Sequence, residues 1–173
     1  MSIPRVTIPL SRGAEAIIDE TDADLAALKW TYATVGYAYR NKPHRVKTEG
    51  PAAIWLHRVI MERIIGRPTI KGEEVDHINR NKLDNRRANQ RMSDRSLNAA
   101  NREMQRNNST GYRGVYQTRN KKRWRVAIGF YGENIHLGVY DTPEEAARVY
   151  DDAAKRLRPD FAMLNFPSEP PAE

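Results

Sequence analysis

The sequence contains no cysteine, which excludes disulfide bonds and zinc sites built on thiolates. It has no apolar run near the roughly 20 residues of a membrane-spanning helix, and residues 1–13 show no signal-peptide stretch. Hydrophobic residues, tyrosine included, make up only 39 % of the 173 residues, while charged residues reach 29 %. This balance predicts several small modules instead of one large core, in a cytoplasmic protein without membrane contact.

Positive charge is in excess along the chain. Lysine and arginine number 29 against 22 aspartate and glutamate residues, which gives a net charge of +7. Residues 111–140 hold six basic residues and one acidic residue, whereas residues 141–173 hold four and eight. A basic stretch followed by an acidic one indicates a nucleic-acid surface on a small module, and the alternative is a basic surface that water alone covers.

The first two thirds of the chain alternate between short strands and helices. Strands are predicted over residues 3–10, 13–18, 35–40, 73–78 and 88–92. Helices are predicted over residues 22–28 with Asp22 as a possible cap, over 54–65 before Gly66 and Pro68, and over 93–104 with Ser93 as the N-cap.

The last third has the pattern of a sheet covered by one helix. After a linker-like stretch at 106–110, strands are predicted over 112–118, 123–130 and 134–140. In the last two strands apolar residues alternate with basic or polar ones, as expected of a sheet with one covered face. A helix follows from Thr142, whose Pro143 and Glu145 complete an N-terminal capping sequence, and its alanine-rich stripe suits close packing on the sheet.

The stretch from Val75 to Arg102 contains four polar residues with the chemistry of a metal-dependent nuclease, Asp76, His77, Asn89 and Asn98. Asp76 is a hard oxygen ligand for Mg²⁺ or Mn²⁺, and Asn98 offers a second, neutral oxygen. His77 titrates near neutrality and suits the deprotonation of an attacking water. Adjacent strand residues point to opposite faces, so Asp76 and His77 converge only if the strand ends or distorts there. The alternative is that these side chains only form turns.

Residues 54–102 resemble the HNH (ββα-metal) nucleases of phage and intron homing-endonuclease type. The shared elements are Leu56-His57-Arg58, the VDHIN and LDNRR segments, and the serine-leucine-asparagine run. The resemblance implies that His77 is the general base, that Asp76 and Asn98 hold one divalent metal ion, and that Asn89 ties the loop to the helix. Gln90 stands where that family usually has leucine.

Several arginines crowd the predicted nuclease site. Next to the HNH motif we expect Arg86, Arg87 and Arg102 to contact phosphates, because the guanidinium group binds phosphate in a bidentate manner. His57 is expected to be structural or to contact a phosphate.

Residues 109–167 resemble the plant ethylene-response-factor (APETALA-type) DNA-binding domain. The matching segments are Tyr112-Arg113-Gly114-Val115, Leu137-Gly138, the stretch from Asp141 to Ala147, and Leu164-Asn165-Phe166-Pro167. That family places a three-stranded sheet in the DNA major groove with the helix behind it. The DNA contacts that this implies here are Arg113, Tyr116, Arg119, Arg123, Arg125, Asn134 and His136. In a regular strand Arg113 and Val115 would point to the same face, although one is basic and the other apolar. A bulge or strong twist is therefore expected at Gly114.

The sequence thus predicts an α+β protein with a strand-rich segment at 1–53, an HNH core at 54–105, a linker at 106–110, a DNA-binding module at 111–167 and a disordered tail at 168–173. The predicted function is a homing-type endonuclease of a phage or mobile element that cuts duplex DNA with one Mg²⁺ or Mn²⁺ ion. A monomer without a small-molecule cofactor is expected. The alternatives are a non-catalytic DNA-binding transcriptional regulator with a degenerate HNH remnant, and a ribonuclease or general DNA-processing nuclease.

Overall fold

The computed structural model describes residues 4–42, 53–101, 104, 108–120 and 122–167. The predicted tail at 168–173 and Arg102 lie outside the described residues. The α+β class is confirmed, and the chain forms two compact units, Met1–Asp94 and Arg95–Glu173. The border between the units falls inside the stretch predicted as the HNH core. No helix among the described residues is long and apolar enough to cross a membrane.

The first unit is built from three small antiparallel sheets and one helix. Its strands are β1 Arg5–Pro9 paired with β2 Glu15–Asp19, then β3 Thr31–Tyr32, β4 Ala38–Asn41 and β5 Ala53–Trp55 in one sheet, and β6 Glu74–His77 paired with β7 Gln90–Ser93. A 3₁₀ helix spans Glu20–Ala27 and helix α1 spans Leu56–Ile65.

Helix α1 starts two residues later than predicted, because residues 53–55 pair with β4 as strand β5. Leu56 and Ile60 are fully buried and join Ile8 and Ile18 of the first hairpin in one core. Ile64, one turn after Ile60, is 40 % exposed. The helix ends at Gly66, whose φ of 70° is the left-handed conformation that glycine adopts without strain.

Asp22 was predicted as a helix cap, and that prediction is wrong. The 3₁₀ helix begins two residues earlier, and the Asp22 side chain is fully buried between the guanidinium groups of Arg63 and Arg87. Burial alone would raise the pKa of Asp22, but the hydrogen bonds from Arg87 and Arg63 outweigh it and hold the pKa below its usual value. Asp22 therefore joins the N-terminal segment to α1 and to the stretch that precedes β7.

The second unit contains a three-stranded antiparallel sheet packed on one helix, as predicted. Helix α2 spans Arg95–Ala100, and the sheet has the order β10 Glu133–Tyr140, β9 Trp124–Phe130, β8 Val115–Gln117. Helix α3, Pro143–Leu157, packs on it through Ala146, Ala147, Tyr150, Ala153 and Ala154. The predicted capping box is confirmed, since Glu145 N donates to Thr142 Oγ1 and Thr142 N to the Glu145 carboxylate.

Helix α2 is shorter than the helix predicted over 93–104. Ser93, the predicted N-cap, belongs to β7, and its hydroxyl donates to the carbonyl of Asp94. Within the second unit, Tyr131 N donates to Ser96 Oγ at 2.8 Å, which ties α2 to the β9–β10 turn.

Strand β10 departs from the predicted alternation. The register shifts between His136 and Gly138, so a bulge leaves Leu137 without a cross-strand partner, and Val139 then pairs with Arg125. Ile135 pairs with the buried Ile128 and so stays on the covered face, where it is 36 % exposed. Local alternation cannot show such a bulge, because it depends on the pairing with β9.

The backbone at Gly114 is irregular, as predicted. Its φ is +68°, and its carbonyl accepts from Ala127 N at 2.9 Å just before β8 begins. The predicted linker is folded where it is described, because Asn108 Oδ1 accepts from Thr110 N and Gly111 N, and its amide donates to Tyr112 O.

Candidate nucleic-acid interface and nuclease site

The sheet of the second unit has one face that α3 does not cover. Val115, Val126 and Ile128 are buried against the helix. Because side chains alternate across a strand, the cross-strand pairs Tyr116–Arg125, His136–Ala127 and Asn134–Gly129 lie on the opposite face. We call this set the outer face: Tyr116, Arg125, Ala127, Gly129, Asn134 and His136. Three of the predicted DNA contacts, Asn134, His136 and Tyr116, thus share a face with Arg125.

The cations of this unit differ in what they contact. The Arg125 guanidinium lies 5.7 Å from the centroid of the Tyr116 ring, which holds a positive charge over the outer face. Arg123 Nε donates to Asp141 Oδ1 at 2.8 Å, and both side chains are at least half exposed, so this ion pair is weak. Arg119 is exposed in the β8–β9 turn.

Arg113 lies in the turn before β8 instead of on the outer face. Its backbone N donates to Asn165 Oδ1 at 2.6 Å, and Asn165 N donates to Asp151 Oδ1 at 2.7 Å. The C-terminal end of the unit therefore fixes the backbone of this predicted base contact.

In the first unit, Asp76 and His77 both lie in β6 but have different cross-strand partners. Asp76 pairs with Arg91 and His77 with Gln90, and the ladder is regular over β6. The strand ends at His77, one residue before its predicted end, and the chain then turns through Arg80, which has a φ of 64°. Adjacent residues of a regular ladder point to opposite faces, so the convergence of the two side chains stays a prediction that depends on the end of the strand at His77.

The carboxylate of Asp76 is held by an arginine. Arg91 Nε and one terminal nitrogen donate to Asp76 Oδ2 at 2.8 and 2.7 Å, and Asp76 is 5 % exposed. No three His, Cys, Asp or Glu side chains come together as a metal site within the described part of the chain. A metal ion here would therefore depend on one carboxylate and amide oxygens, a donor set that suits a hard divalent ion with further ligands from water and phosphate.

His77 is buried within a cluster of aromatic rings. Its ring centroid lies 5.6 Å from that of His57 and 5.9 Å from that of Tyr37. Burial lowers the pKa of His77 below its usual value, although the hydrogen bond with Asn85 and the charge of Asp76 act in the other direction. The imidazole is therefore neutral at physiological pH, which is the protonation state that a general base needs.

Asn89 fixes the loop that follows β6. Its side-chain Nδ2 donates to the Asp84 carbonyl at 2.7 Å and to Asn79 Oδ1 at 2.9 Å, and its Oδ1 accepts from Asn79 N. Asn89 thus ties the two ends of this loop together. Asn98, the predicted second metal ligand, lies in α2 and belongs to the second unit.

Arg86 and Arg87 both pair with carboxylates of their own unit. Arg86 donates to both oxygens of Asp84 at 2.7–2.8 Å, and 44 % of its side chain is exposed. Arg87 donates to both oxygens of the fully buried Asp22 at 2.8–2.9 Å. A phosphate contact by Arg87 would leave that buried charge with Arg63 alone, which favours a structural role for Arg87. Arg86 and Arg102 stay predicted phosphate contacts.

We expect Arg87→Met to destabilise the first unit by about 3 kcal/mol, because removing one partner of a buried ion pair leaves a poorly compensated charge. Arg86→Met is the matched control, and its exposed ion pair predicts a loss of at most about 1 kcal/mol. Amide hydrogen exchange of β1 and β2 measures both effects. Equal losses in the two variants would contradict the structural role of Arg87.

His57 is a buried residue of α1, which excludes the phosphate contact considered for it. Burial, with smaller effects of His77 and Arg58, lowers its pKa to about 3. Its Nδ1 atom has no hydrogen-bond partner, and its ring lies 4.7 Å from that of Tyr37. A neutral, packed histidine is the structural alternative anticipated from the sequence.

Sequence reasoning missed three neighbours of His77. Asn85 accepts a hydrogen bond at its ring, Gln90 contacts Asn85, and Tyr37 packs against the imidazole. Burial raises the pKa of the Tyr37 phenol, and the charges of Asp76 and Glu74 add to this. Asn85 looks like an ordinary turn residue in a loop rich in asparagine, and Tyr37 lies 40 residues from His77 in sequence, so no local pattern marks either residue.

Comparison with known proteins gives two family matches. Residues 110–159 match the family model described as AP2 domain, and residues 55–100 match the model described as HNH endonuclease. The first match lies within the second unit. The second match begins in β5 and ends in α2, so it crosses the border between the two units.

Curated relatives include plant transcription factors. The ethylene-responsive transcription factor ERF018 of Arabidopsis thaliana is 36 % identical over 76 residues, which are 41 % of this chain and 39 % of the relative. The AP2-like ethylene-responsive transcription factor TOE2 of the same plant is 43 % identical over 61 residues, 35 % of this chain and 13 % of the relative. APETALA2-like protein 2 of Oryza sativa subsp. japonica is 43 % identical over 61 residues, 35 % of this chain and 14 % of the relative.

The chain covers well under half of the length of each of these relatives. The comparisons therefore show that residues 110–159 are similar to AP2 domains and that residues 55–100 are similar to HNH endonucleases.

Proposed function

We propose that this protein binds duplex DNA through the outer face of its C-terminal sheet. The observation that supports this most is a three-stranded sheet with one uncovered face inside a segment that matches the AP2 domain model. Arg125, Asn134 and His136 provide a cation and hydrogen-bonding groups on that face. A β-ribbon of this kind fits the major groove, where such groups can contact base edges.

Phosphate contacts are proposed around the edge of the outer face. Arg119 and Arg123 are exposed near the β8–β9 turn, and Lys122 lies beside them. Four acidic residues of this unit lie in α3, on the other side of the sheet, where they do not repel the DNA backbone.

Titration of fluorescent duplex DNA with the full chain at increasing salt tests this proposal. We expect the logarithm of the association constant K to fall linearly with the logarithm of the salt concentration. The slope should be about −0.9 for each phosphate contact, and so about −2.7 or steeper for three contacts. Fluorescence anisotropy gives K at each salt concentration. A slope near zero, or no binding at about 50 mM salt, would contradict the proposal.

A second candidate function is metal-dependent cleavage of duplex DNA. The HNH match at residues 55–100 and the neutral, hydrogen-bonded His77 favour it. The plant relatives are named as transcription factors, and they favour the other reading, a non-catalytic regulator with an HNH remnant. The regular ladder at Asp76 and the Arg91 pair agree better with the regulator, so DNA binding remains the main proposal.

The roles of the residues in the cleavage proposal follow from their chemistry. His77 would accept the proton of the attacking water, and Asn89 would keep the loop next to it in place. Asp76 would hold one Mg²⁺ or Mn²⁺ ion, which would stabilise the charge that develops on the phosphate. Arg86 would contact a neighbouring phosphate. The homing role and the phage or mobile-element origin belong to the same proposal.

A further inference from the structure

A hydrogen bond joins the buried His77 ring to the side chain of Asn85. His77 Nε2 lies 3.3 Å from Asn85 Oδ1, and the two residues are only 3 % and 1 % exposed. We propose that Asn85 is a positioning residue that holds neutral His77 as the tautomer protonated at Nε2, with the lone pair on Nδ1. The functional meaning of this tautomer rests on the cleavage proposal, in which Nδ1 is the atom that would accept a proton from water.

The orientation of the Asn85 amide is fixed by its other contacts. Asn85 Nδ2 donates to the carbonyl of Leu83 at 3.1 Å, which leaves Oδ1 facing His77. Gln90 Nε2 also donates to this Oδ1 at 3.3 Å. A reversed amide would place its N–H groups against a second N–H donor and its oxygen against the Leu83 carbonyl.

The tautomer follows from this orientation. A carbonyl oxygen can only accept a hydrogen bond, so the ring nitrogen that faces Oδ1 must carry the proton. In a neutral imidazole the other nitrogen then carries the lone pair. Asn85 therefore determines which nitrogen is basic, and it does so without contacting the substrate.

The N-terminal hairpin holds Asn85 in place. Asn85 N donates to the Ile17 carbonyl at 2.7 Å, and Ile17 N donates to the Leu83 carbonyl at 2.8 Å, so β2 clamps both sides of Asp84. Asn89 adds a bond to the Asp84 carbonyl from the other direction. The strand-rich N-terminal segment thus supports Asn85, the residue that orients His77.

The tautomer can be measured without any cleavage assay. Long-range ¹H–¹⁵N correlation spectra of the ¹⁵N-labelled full chain, recorded at about pH 8.5 where the ring is neutral, distinguish the protonated from the unprotonated ring nitrogen of His77. We compare the wild type with Asn85→Ala and with Asn85→Asp, whose carboxylate also only accepts. Asn81→Ala, an exposed asparagine of the same loop, is the matched control.

We expect Nε2 to be protonated in the wild type, in Asn81→Ala and in Asn85→Asp, and a mixture of tautomers in Asn85→Ala. Cleavage should fall about 10- to 100-fold in Asn85→Ala and recover in part in Asn85→Asp. Protonation of Nδ1 in the neutral wild-type ring, or an unchanged tautomer in folded Asn85→Ala, would overturn the inference. If the wild type did not cleave, the cleavage proposal would fail, while the spectra would still decide the role of Asn85.

Discussion

Replacing His77 by alanine is expected to lower metal-dependent cleavage of supercoiled plasmid by roughly 100- to 10 000-fold, with little change in duplex binding. The variant loses the group proposed to accept the proton of water, whereas the outer face of the sheet is unaltered. Plasmid incubated with Mg²⁺ or Mn²⁺ and resolved on agarose gives the rate, and incubation with EDTA shows the cleavage that needs no metal.

His77 is buried, so its replacement needs a control for folding. His77→Gln keeps most of the volume and should lose cleavage as His77→Ala does, while amide exchange of β6 and β7 stays close to that of the wild type. A variant that retained more than about a third of the wild-type rate would remove His77 from the mechanism. A wild-type chain that cut no plasmid with either ion would favour the non-catalytic regulator.

The pH dependence of cleavage provides a further check on the same residue. Only the neutral imidazole accepts a proton, so the cleavage rate should rise with pH as the imidazolium form of His77 is deprotonated. Because burial lowers the pKa of His77, the rise should be centred below the usual histidine value of about 6.5.

Gly114→Ala is expected to destabilise the second unit by about 3 kcal/mol or more. A Cβ atom at this position would lie 2.3 Å from Tyr150 Cδ2 and 2.5 Å from the Ala127 carbonyl oxygen. The backbone φ of +68° adds roughly 1–2 kcal/mol of strain for any residue with a side chain, and the overpacked core adds roughly 1–3 kcal/mol. Tyr150 cannot easily move, because its hydroxyl accepts a hydrogen bond from Arg158 at 2.7 Å.

Gly132→Ala is the matched control for this prediction. Gly132 also has a positive φ, of +86°, but a Cβ atom there would meet nothing within 4 Å. It should therefore cost only the backbone strain, roughly 1–2 kcal/mol. Amide hydrogen exchange of β9 reports on this unit alone, and similar losses in the two variants would show that the contact with Tyr150 is not what requires glycine at 114.

Local patterns predicted the second unit well, because its signals are short in range. Thr142 and Glu145 cap α3 three residues apart, and the alternation in β9 depends only on neighbouring residues. The bulge in β10 could not be predicted in this way, since it is a property of the register against β9. The same limit explains why Val139 pairs with the outer-face residue Arg125, although Ile135, four residues earlier, pairs with the buried Ile128.

The first unit was harder to predict because long-range pairs organise it. The ion pair of Asp22 with Arg87 joins residues 65 positions apart, and the bonds of Ile17 with Leu83 and Asn85 span a similar distance. Asp76 and His77 were identified as chemically distinctive residues, yet their sequence did not show that Arg91 and Asn85 would hold them. The local sequence indicated which residues have catalytic chemistry, but it did not indicate the distant residues that bind and orient them.

The central claim, that the outer face of the sheet binds DNA, is tested most directly by two arginine variants of equal charge. Arg125 lies on the outer face, and Arg156 lies exposed on α3, behind the sheet. In salt titrations with fluorescent duplex, we expect Arg125→Ala to weaken binding several-fold and to reduce the slope of log K against log salt by about 0.9, while Arg156→Ala changes neither much. Equal losses in the two variants, or a loss confined to Arg156→Ala, would contradict binding through the outer face.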